Sequence, residues 1–150
     1  MSMLRHPSPQ IQSKVAAALW NCACDDDSKT VFRSLGAMPA LLELLNSKDE
    51  SVLENVSGAI WNLVIDNENK LEVLIYGGVP LLVHALESTN HKVVENCTGI
   101  LWNCSAIPEH RPAIRKSGGI KPLFTILGKT SASLKSRDNA AAAIRNLAIH

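Results

Sequence analysis

Hydrophobic residues recur with the spacing of an amphipathic helix in four segments of the chain, and the four segments end alike. Three of them end in Trp-Asn followed by Cys or Leu, and the fourth has Arg-Asn followed by Leu. The repeated asparagines lie 41, 41 and 43 residues apart and are Asn21, Asn62, Asn103 and Asn146. A fixed period in this range is typical of stacked helical repeats, because one repeat alone cannot bury its apolar face. The pattern therefore predicts a helical solenoid.

Glycine and proline mark one corner in each period. The segment Gly36-Ala-Met-Pro39 recurs as Gly77-Gly-Val-Pro80 and, shifted by one residue, as Gly118-Gly-Ile-Lys-Pro122. Glycine readily adopts the left-handed backbone conformation that ends many helices, and proline suits the first turn of the helix that follows. Each repeat is thus predicted to hold a short helix, a tight corner, a second helix and a long third helix. The second helices are predicted at 40–45, 81–86 and 123–127.

These elements divide the chain into one partial repeat and three full repeats. Residues 1–9 are rich in Pro and Ser and are expected to be disordered, and residues 10–24 form the third helix of a partial repeat. The full repeats are predicted at 25–65, 66–106 and 107–150. Few runs alternate with the period of a strand, and Ala and Leu dominate the periodic segments. The predicted fold class is all-α.

The third helix is predicted to carry one polar and aromatic stripe, since residues advance by about 100° around a helix. The position before the repeated asparagine holds Trp20, Trp61, Trp102 and Arg145. The positions seven and eight before it hold Asn55, Asn96 and Asn139, and Glu54 and Glu95. The position four before it holds the small residues Ala17, Gly58, Gly99 and Ala142. The opposite face is apolar and is predicted to be the core, with Cys22, Leu63, Cys104 and Leu147 in one shared position.

The stripe repeats the same side chain at the same height, which a merely solvated face has no reason to do. An asparagine amide both donates and accepts hydrogen bonds, so a column of amides can hold the backbone of an extended peptide. The small residues leave a flat floor, the indoles offer contact area typical of binding hot spots, and the acidic residues favour Lys or Arg in a ligand. A structural alternative stays open, in which asparagine cross-links neighbouring third helices and tryptophan fills the seam between repeats.

Composition and charge exclude several other classes of protein. The net charge is +1 and no basic stripe is present, so we expect no nucleic-acid binding. No run approaches 18 apolar residues, and the N-terminus lacks the apolar core of a signal peptide, so we expect no membrane insertion. Hydrophobic residues make up 46% of the chain, which is enough for a substantial core.

We expect no catalytic centre, metal site or cofactor. Cys22 and Cys24 are one residue apart, whereas paired zinc ligands usually have two to four residues between them. The histidines fall at unrelated repeat positions and are His6, His84, His91, His110 and His150. No Ser/His/Asp set and no glycine-rich phosphate loop is present. Reduced cysteines in a core are typical of an intracellular protein, here cytoplasmic or nuclear.

The three-helix repeat, the Gly-Pro corner and the third-helix pattern resemble the armadillo repeat over essentially the whole chain. Tryptophan directly before the asparagine is most similar to repeats of the beta-catenin, plakophilin and adenomatous polyposis coli group. The resemblance implies a right-handed α-solenoid in which Asn21, Asn62, Asn103 and Asn146 line a concave groove for extended peptides. Importin-alpha has tryptophan four residues before the asparagine, where this chain has Ala or Gly. That difference argues against binding of classical nuclear localisation signals.

The resulting expectation is a protein-interaction scaffold that binds an extended peptide segment of a partner protein. Two alternatives are a structural spacer within a longer array, with partners on other faces, and an importin-alpha-like adaptor for basic signal peptides, which the acidic residues would favour. Because the chain begins and ends with third helices, end-to-end association is also expected, through Ile11 and Val15 or Ile144 and Ile149. The sequence does not name the partner.

Overall fold

The computed structural model describes residues 1–149, so the prediction for His150 lies outside the described residues. Ten α-helices and one short 3-10 helix are present, and no strand occurs within residues 1–149. The predicted all-α fold is confirmed. The chain divides into two compact units, Met1–Tyr76 and the residues from Gly77 onward.

The first unit contains a 3-10 helix and five α-helices. Their bounds are Ser2–Arg5 for the 3-10 helix, then α1 Pro9–Cys22, α2 Asp26–Ser34, α3 Ala37–Leu44, α4 Glu50–Leu63 and α5 Asn67–Ile75. The two long helices, α1 and α4, pack along each other, and α3 packs on α4 and α5. Leu41, Val56 and Ile60 are fully buried, so the core of this unit lies beneath α3 and α4.

The second unit repeats this arrangement with five α-helices. They are α6 Gly78–Ala85, α7 His91–Ser105, α8 His110–Lys116, α9 Ile120–Gly128 and α10 Leu134–Leu147. The long helices α7 and α10 pack along each other, α6 packs on α7 and α8, and α9 packs on α10. Leu82, Ile100 and Leu123 are fully buried and form the centre of the core.

Glycine and acidic residues set the helix boundaries. Gly36, Gly77 and Gly118 have φ angles of +70°, +68° and +76°, so all three predicted corners take the left-handed conformation that glycine adopts without strain. The Asp25 carboxylate accepts a hydrogen bond from the Ser28 amide at 2.8 Å and caps α2. The predicted corners are therefore confirmed.

The N-terminus differs from the expected disordered segment. Ser2–Arg5 forms the 3-10 helix, and Leu4 within it is fully buried. Arg5 donates two hydrogen bonds of 2.9 Å to the two carboxylate oxygens of Glu43 on α3. One buried leucine and one bidentate ion pair hold the segment in place, and composition alone does not reveal either contact.

The four cysteines fall into two classes. Cys97 and Cys104 are buried in α7, and burial raises the pKa of the Cys97 thiol to about 12. Cys22 and Cys24 are exposed, which corrects the expectation that Cys22 fills a core position. Cys22 is exposed because α1 packs mainly on the short 3-10 helix and on α4. Leu63, at the same position of α4, is buried because the full-length second helix α3 also covers α4.

This difference predicts a divided response to thiol reagents. At pH 8, Cys22 and Cys24 should react with a disulfide reagent within minutes, whereas Cys97 should react only after unfolding, because its thiol is buried and protonated. Mass spectrometry of tryptic fragments with and without denaturant measures the order. Reaction of Cys97 in the folded protein as fast as that of Cys24 would contradict the described core.

Candidate functional site

The repeated asparagines of the predicted stripe, with the residues directly before them, lie at the C-terminal ends of the third helices. In the first unit Trp20 and Asn21 are near the end of α1, and Trp61 and Asn62 are near the end of the adjacent α4. In the second unit the corresponding residues of α7 and α10 are Trp102, Asn103, Arg145 and Asn146. Their surroundings decide which side chains remain accessible to a ligand.

Trp20 covers the small residue of the next third helix. Gly58 is buried, and a Cβ atom added there would lie 2.5 Å from atoms of the Trp20 ring. Contacts that short do not occur between real side chains, so only glycine leaves room for the indole. The expected open floor beneath a ligand is therefore absent at Gly58. Trp20 fills the seam between α1 and α4, as the structural alternative supposed.

The asparagine amides also join consecutive third helices. Asn62 donates a hydrogen bond of 2.9 Å from Nδ2 to the backbone carbonyl of Trp20, one of the carbonyls at the end of α1 that lack a partner within the helix. In the second unit Asn146 donates to the Ser105 hydroxyl at 3.1 Å, and Ser105 donates to the Trp102 carbonyl at 2.8 Å. The donor ends of Asn62 and Asn146 thus stabilise the stacking of helices.

The asparagines seven residues earlier lie deeper in the structure. Asn96 is fully buried and Asn139 is 4% exposed, and the Asn139 amide lies 3.5 Å from the backbone carbonyl of Glu95. Asn55 is half-buried and donates a hydrogen bond of 2.9 Å to the Ser13 hydroxyl of α1. Burial leaves Asn96 and Asn139 without surface for a ligand, so the predicted stripe is narrower than helical geometry alone suggested.

The acidic residues of the stripe, Glu54 and Glu95, also interact within the protein. Glu54 is half-buried. Glu95 accepts hydrogen bonds of 2.9 Å from Lys92 Nζ and from the Ser133 hydroxyl at the start of α10. Burial works against ionisation of Glu95, but the bonds from Lys92 and Ser133 outweigh it and lower its pKa. Glu95 is therefore a charged group already neutralised by a neighbouring lysine, not a free anionic contact.

A smaller set of predicted residues remains accessible. Trp102 is 38% exposed, Arg145 is exposed, and Asn103 is half-exposed. Asn21 is exposed at the end of α1, and its side-chain amide has no hydrogen-bond partner among residues 1–149. Indole, amide and guanidinium groups can together contact the backbone and the carboxylates of a peptide.

Within residues 1–149 no group of three or more His, Cys, Asp and Glu side chains is arranged to hold a metal ion. None of the helices there combines the length and the apolar character needed to cross a bilayer.

Comparison with protein families identifies the repeat. The family model described as Armadillo/beta-catenin-like repeat matches residues 25–65, 66–106 and 108–149. The chain belongs to the armadillo repeat family. In this armadillo repeat protein the third helices α4, α7 and α10 each end one matched repeat. A comparison with curated protein sequences gave no match.

Solved structures share the armadillo fold. A crystal structure of computationally designed armadillo repeat proteins for modular peptide recognition has a TM-score of 0.90 at 26% identity, over 97% of this chain and 61% of that chain. An engineered protein from the Northeast Structural Genomics Consortium has a TM-score of 0.89 at 26% identity, over 97% and 60%. A designed armadillo repeat protein in complex with peptide (KR)4 has a TM-score of 0.85 at 21% identity, over 97% and 62%. The chain spans about three fifths of each of these structures.

Sequence reasoning did not anticipate the hydroxyl groups that complete these junctions. Ser13, Ser105 and Ser133 connect adjacent third helices through Asn55, Asn146 and Glu95. No serine position recurs in all repeats, so periodicity gives no signal for them. The pairing of Trp20 with Gly58 does have a signal, because a large residue in one repeat accompanies a glycine 38 residues later, and Trp61 and Gly99 share that spacing.

Replacing Gly58 with alanine should destabilise the protein, although alanine normally favours a helix. The added Cβ would collide with the Trp20 ring, so we expect a loss of about 1–3 kcal/mol in the free energy of unfolding. Urea denaturation measures it. Gly128→Ala is the matched control, because a Cβ there meets nothing within 4 Å. If Gly58→Ala were as stable as the control, Trp20 would not fill this seam.

Replacing Asn62 with alanine should also reduce stability, by about 1 kcal/mol, because the Trp20 carbonyl loses its hydrogen bond. Asn21→Ala is the control, since its amide makes no such bond, and it should leave the unfolding midpoint unchanged. Equal midpoints for the two variants in urea would rule out a structural role for the Asn62 amide.

Proposed function

We propose that this armadillo repeat protein is a protein-interaction scaffold whose third helices bind an extended segment of a partner protein. The observation that carries the proposal is the exposed indole of Trp102 beside the accessible amide of Asn103 near the end of α7. The beta-catenin, plakophilin and adenomatous polyposis coli group remains the predicted subgroup. We further propose a non-catalytic, intracellular role, in the cytoplasm or the nucleus.

The chemistry of the accessible residues favours an extended peptide. The Asn103 amide can donate to a peptide carbonyl and accept from a peptide N–H group, which requires a backbone not already paired in a helix. Trp102 supplies apolar area at low cost in side-chain entropy, as binding hot spots do. Arg145 stands where earlier repeats have tryptophan, and its guanidinium favours a carboxylate in the ligand.

The family supports the same class of ligand. One solved armadillo structure, 26% identical, is described as designed for modular peptide recognition. That description belongs to the designed protein, and the proposal extends only the ligand class, a peptide, to this chain. Asn21, Asn62, Asn146, Trp20 and Trp61 are proposed as further contacts through the surfaces that helix stacking leaves accessible. Asn55, Glu54 and Glu95 are proposed only as supports for the surface, because Asn55 and Glu95 already form hydrogen bonds within the protein and Glu54 holds the same repeat position as Glu95.

The proposal is tested with peptides selected by the protein itself. A random 12-residue peptide library is displayed against the wild-type chain, and the selected peptides are measured by fluorescence anisotropy. We expect Trp102→Ala and Asn103→Ala each to weaken binding by about tenfold or more, the size of a hot-spot loss. Lys116→Ala, an exposed change at the end of α8, is the control and should bind normally.

The same measurement includes a stability check. Thermal melting of each variant should stay close to that of the wild type, because Trp102 and Asn103 are accessible. Selected peptides that bind Trp102→Ala and Asn103→Ala as well as the wild type would contradict the proposal. In that case the alternative of a spacer with partners on other faces gains support.

The importin-alpha-like alternative predicts tight binding of a basic peptide, whereas the proposed surface predicts the opposite. A labelled (Lys-Arg)4 peptide should bind weakly or not at all at physiological salt, because the Glu95 carboxylate is already paired with Lys92 and Arg145 repels cations. Fluorescence anisotropy at low and moderate salt measures this. Tight binding at moderate salt would favour an adaptor for basic signals over the proposed surface.

Association of the chain with itself is a further proposal. Ile149 is exposed and Ile11, Val15 and Ile144 are half-buried, so apolar area is available on α1, on α10 and just after α10. Light scattering over a range of concentrations tests it. A mass that stays at one chain at the highest concentration would contradict end-to-end association.

A further inference from the structure

A cavity of about 300 Å³ lies in the second unit, away from the Trp-Asn pair. One wall is the link between α6 and α7 with the start of α7, and the other is α9 with its link to α10. His91, at the start of α7, lines the cavity, and Asn103 lies twelve residues later, about 18 Å along the helix at 1.5 Å per residue. The cavity is therefore separate from the surface of the proposed function.

The floor of the cavity is already buried and mostly apolar, with Ser136 as a buried polar residue. Leu86, Val94 and Ile126 line it and are 5%, 9% and 4% exposed. An apolar floor below a few polar groups is the composition of ligand pockets, and this volume is at the lower end of their range. The space suits one large apolar side chain with part of its neighbouring backbone.

The α9 wall carries uncompensated positive charge. Lys121, Thr125 and Lys129 are spaced by four residues and line the cavity on one side. Neither lysine forms an ion pair with a residue of the described chain. The one acidic lining residue, Glu87, is on the other wall, with its carboxylate 3.8 Å from His84 Nδ1.

The equivalent crevice of the first unit is bridged. When the repeats are aligned, Arg5 occupies the same position as Glu87, and Glu43 occupies the same position as Thr125. The residues of each aligned pair are 82 apart in sequence. Arg5 and Glu43 join the two walls of their crevice through two hydrogen bonds of 2.9 Å. Glutamate and threonine cannot form this ion pair, so the second unit keeps an open crevice with two free lysines on its rim.

We propose that this cavity binds a partner peptide that carries acidic side chains next to an apolar one. The apolar side chain enters the floor between Val94 and Ile126. A flanking carboxylate lies near Lys121 or Lys129, which gives the charge complementarity that the protein itself does not provide. The site goes beyond the proposed function, since it uses the second helix and its links instead of the ends of the third helices.

The test is a nuclear magnetic resonance titration of the ¹⁵N-labelled chain with the peptide acetyl-Glu-Leu-Glu-amide. Acetyl-Gln-Leu-Gln-amide is the matched control, because it keeps the shape and removes the charge. We expect saturable shifts of backbone amides in residues 86–94 and 121–136, at least about tenfold tighter for the glutamate peptide and weaker as salt rises. Equal affinity of the two peptides, or shifts scattered over both units, would overturn the proposal.

Two double variants test whether the peptide binds between the two walls of the cavity. Glu87→Arg combined with Thr125→Glu introduces the bridge of the first unit and should reduce binding at least about tenfold, since the ion pair closes the crevice. Lys121→Gln combined with Lys129→Gln keeps the cavity, removes its charge, and should reduce binding to the level of the glutamine peptide. Because both lysines are exposed, this second variant tests the site even if the first fails to fold. Unchanged binding by the lysine variant rejects the site.

One further variant separates this site from the proposed function. Asn103→Ala should bind acetyl-Glu-Leu-Glu-amide normally, because Asn103 lies far along α7 from the cavity. Lys116→Gln should also bind normally and controls for loss of one lysine. If Asn103→Ala loses the peptide while the two wall variants keep it, the peptide binds at the third-helix surface and the cavity proposal is wrong.

Discussion

The packing of one third helix on the next is the constraint on which the rest of the structure depends. In the first unit the Trp20 indole occupies the space that a side chain at Gly58 would need, and the Asn62 amide holds the Trp20 carbonyl. The ring sets the separation of α1 and α4, and the directional hydrogen bond sets their register. The second unit reaches the same carbonyl position through Ser105, so a hydroxyl can extend the reach of the asparagine.

This junction limits what the repeated residues can offer a ligand. An amide that donates one N–H to the neighbouring helix keeps only its oxygen and its second N–H for a peptide, and an indole packed on glycine presents only part of its surface. The side chains that remain accessible to a ligand are therefore those that helix packing uses least. They are Asn21 in the first unit and Trp102 and Asn103 in the second. Repetition of a residue is thus evidence of a shared structural role first, and of binding only where its surface remains open.

The two proposed sites of the second unit would bind their ligands through different interactions. The third-helix surface relies on hydrogen bonding to a peptide backbone, whereas the cavity beside α9 relies on an apolar floor and two unpaired lysines. Glu87 and Thr125 line the cavity at the repeat positions where Arg5 and Glu43 form an ion pair in the first unit. Small departures from the repeat, and not the repeat itself, create this difference between the two units.

The sequence by itself determined the all-α class, the 41-residue period, the three-helix repeat and the left-handed corners at Gly36, Gly77 and Gly118. These follow from local rules, since helical periodicity and the freedom of glycine depend on residues close together in the chain. Only the tertiary structure decided that Asn96 and Asn139 are buried, that Trp20 covers Gly58 and that Leu4 anchors the N-terminus. Helical geometry fixes the direction of a side chain from its own axis, but burial depends on which neighbouring helix lies there and how closely it packs.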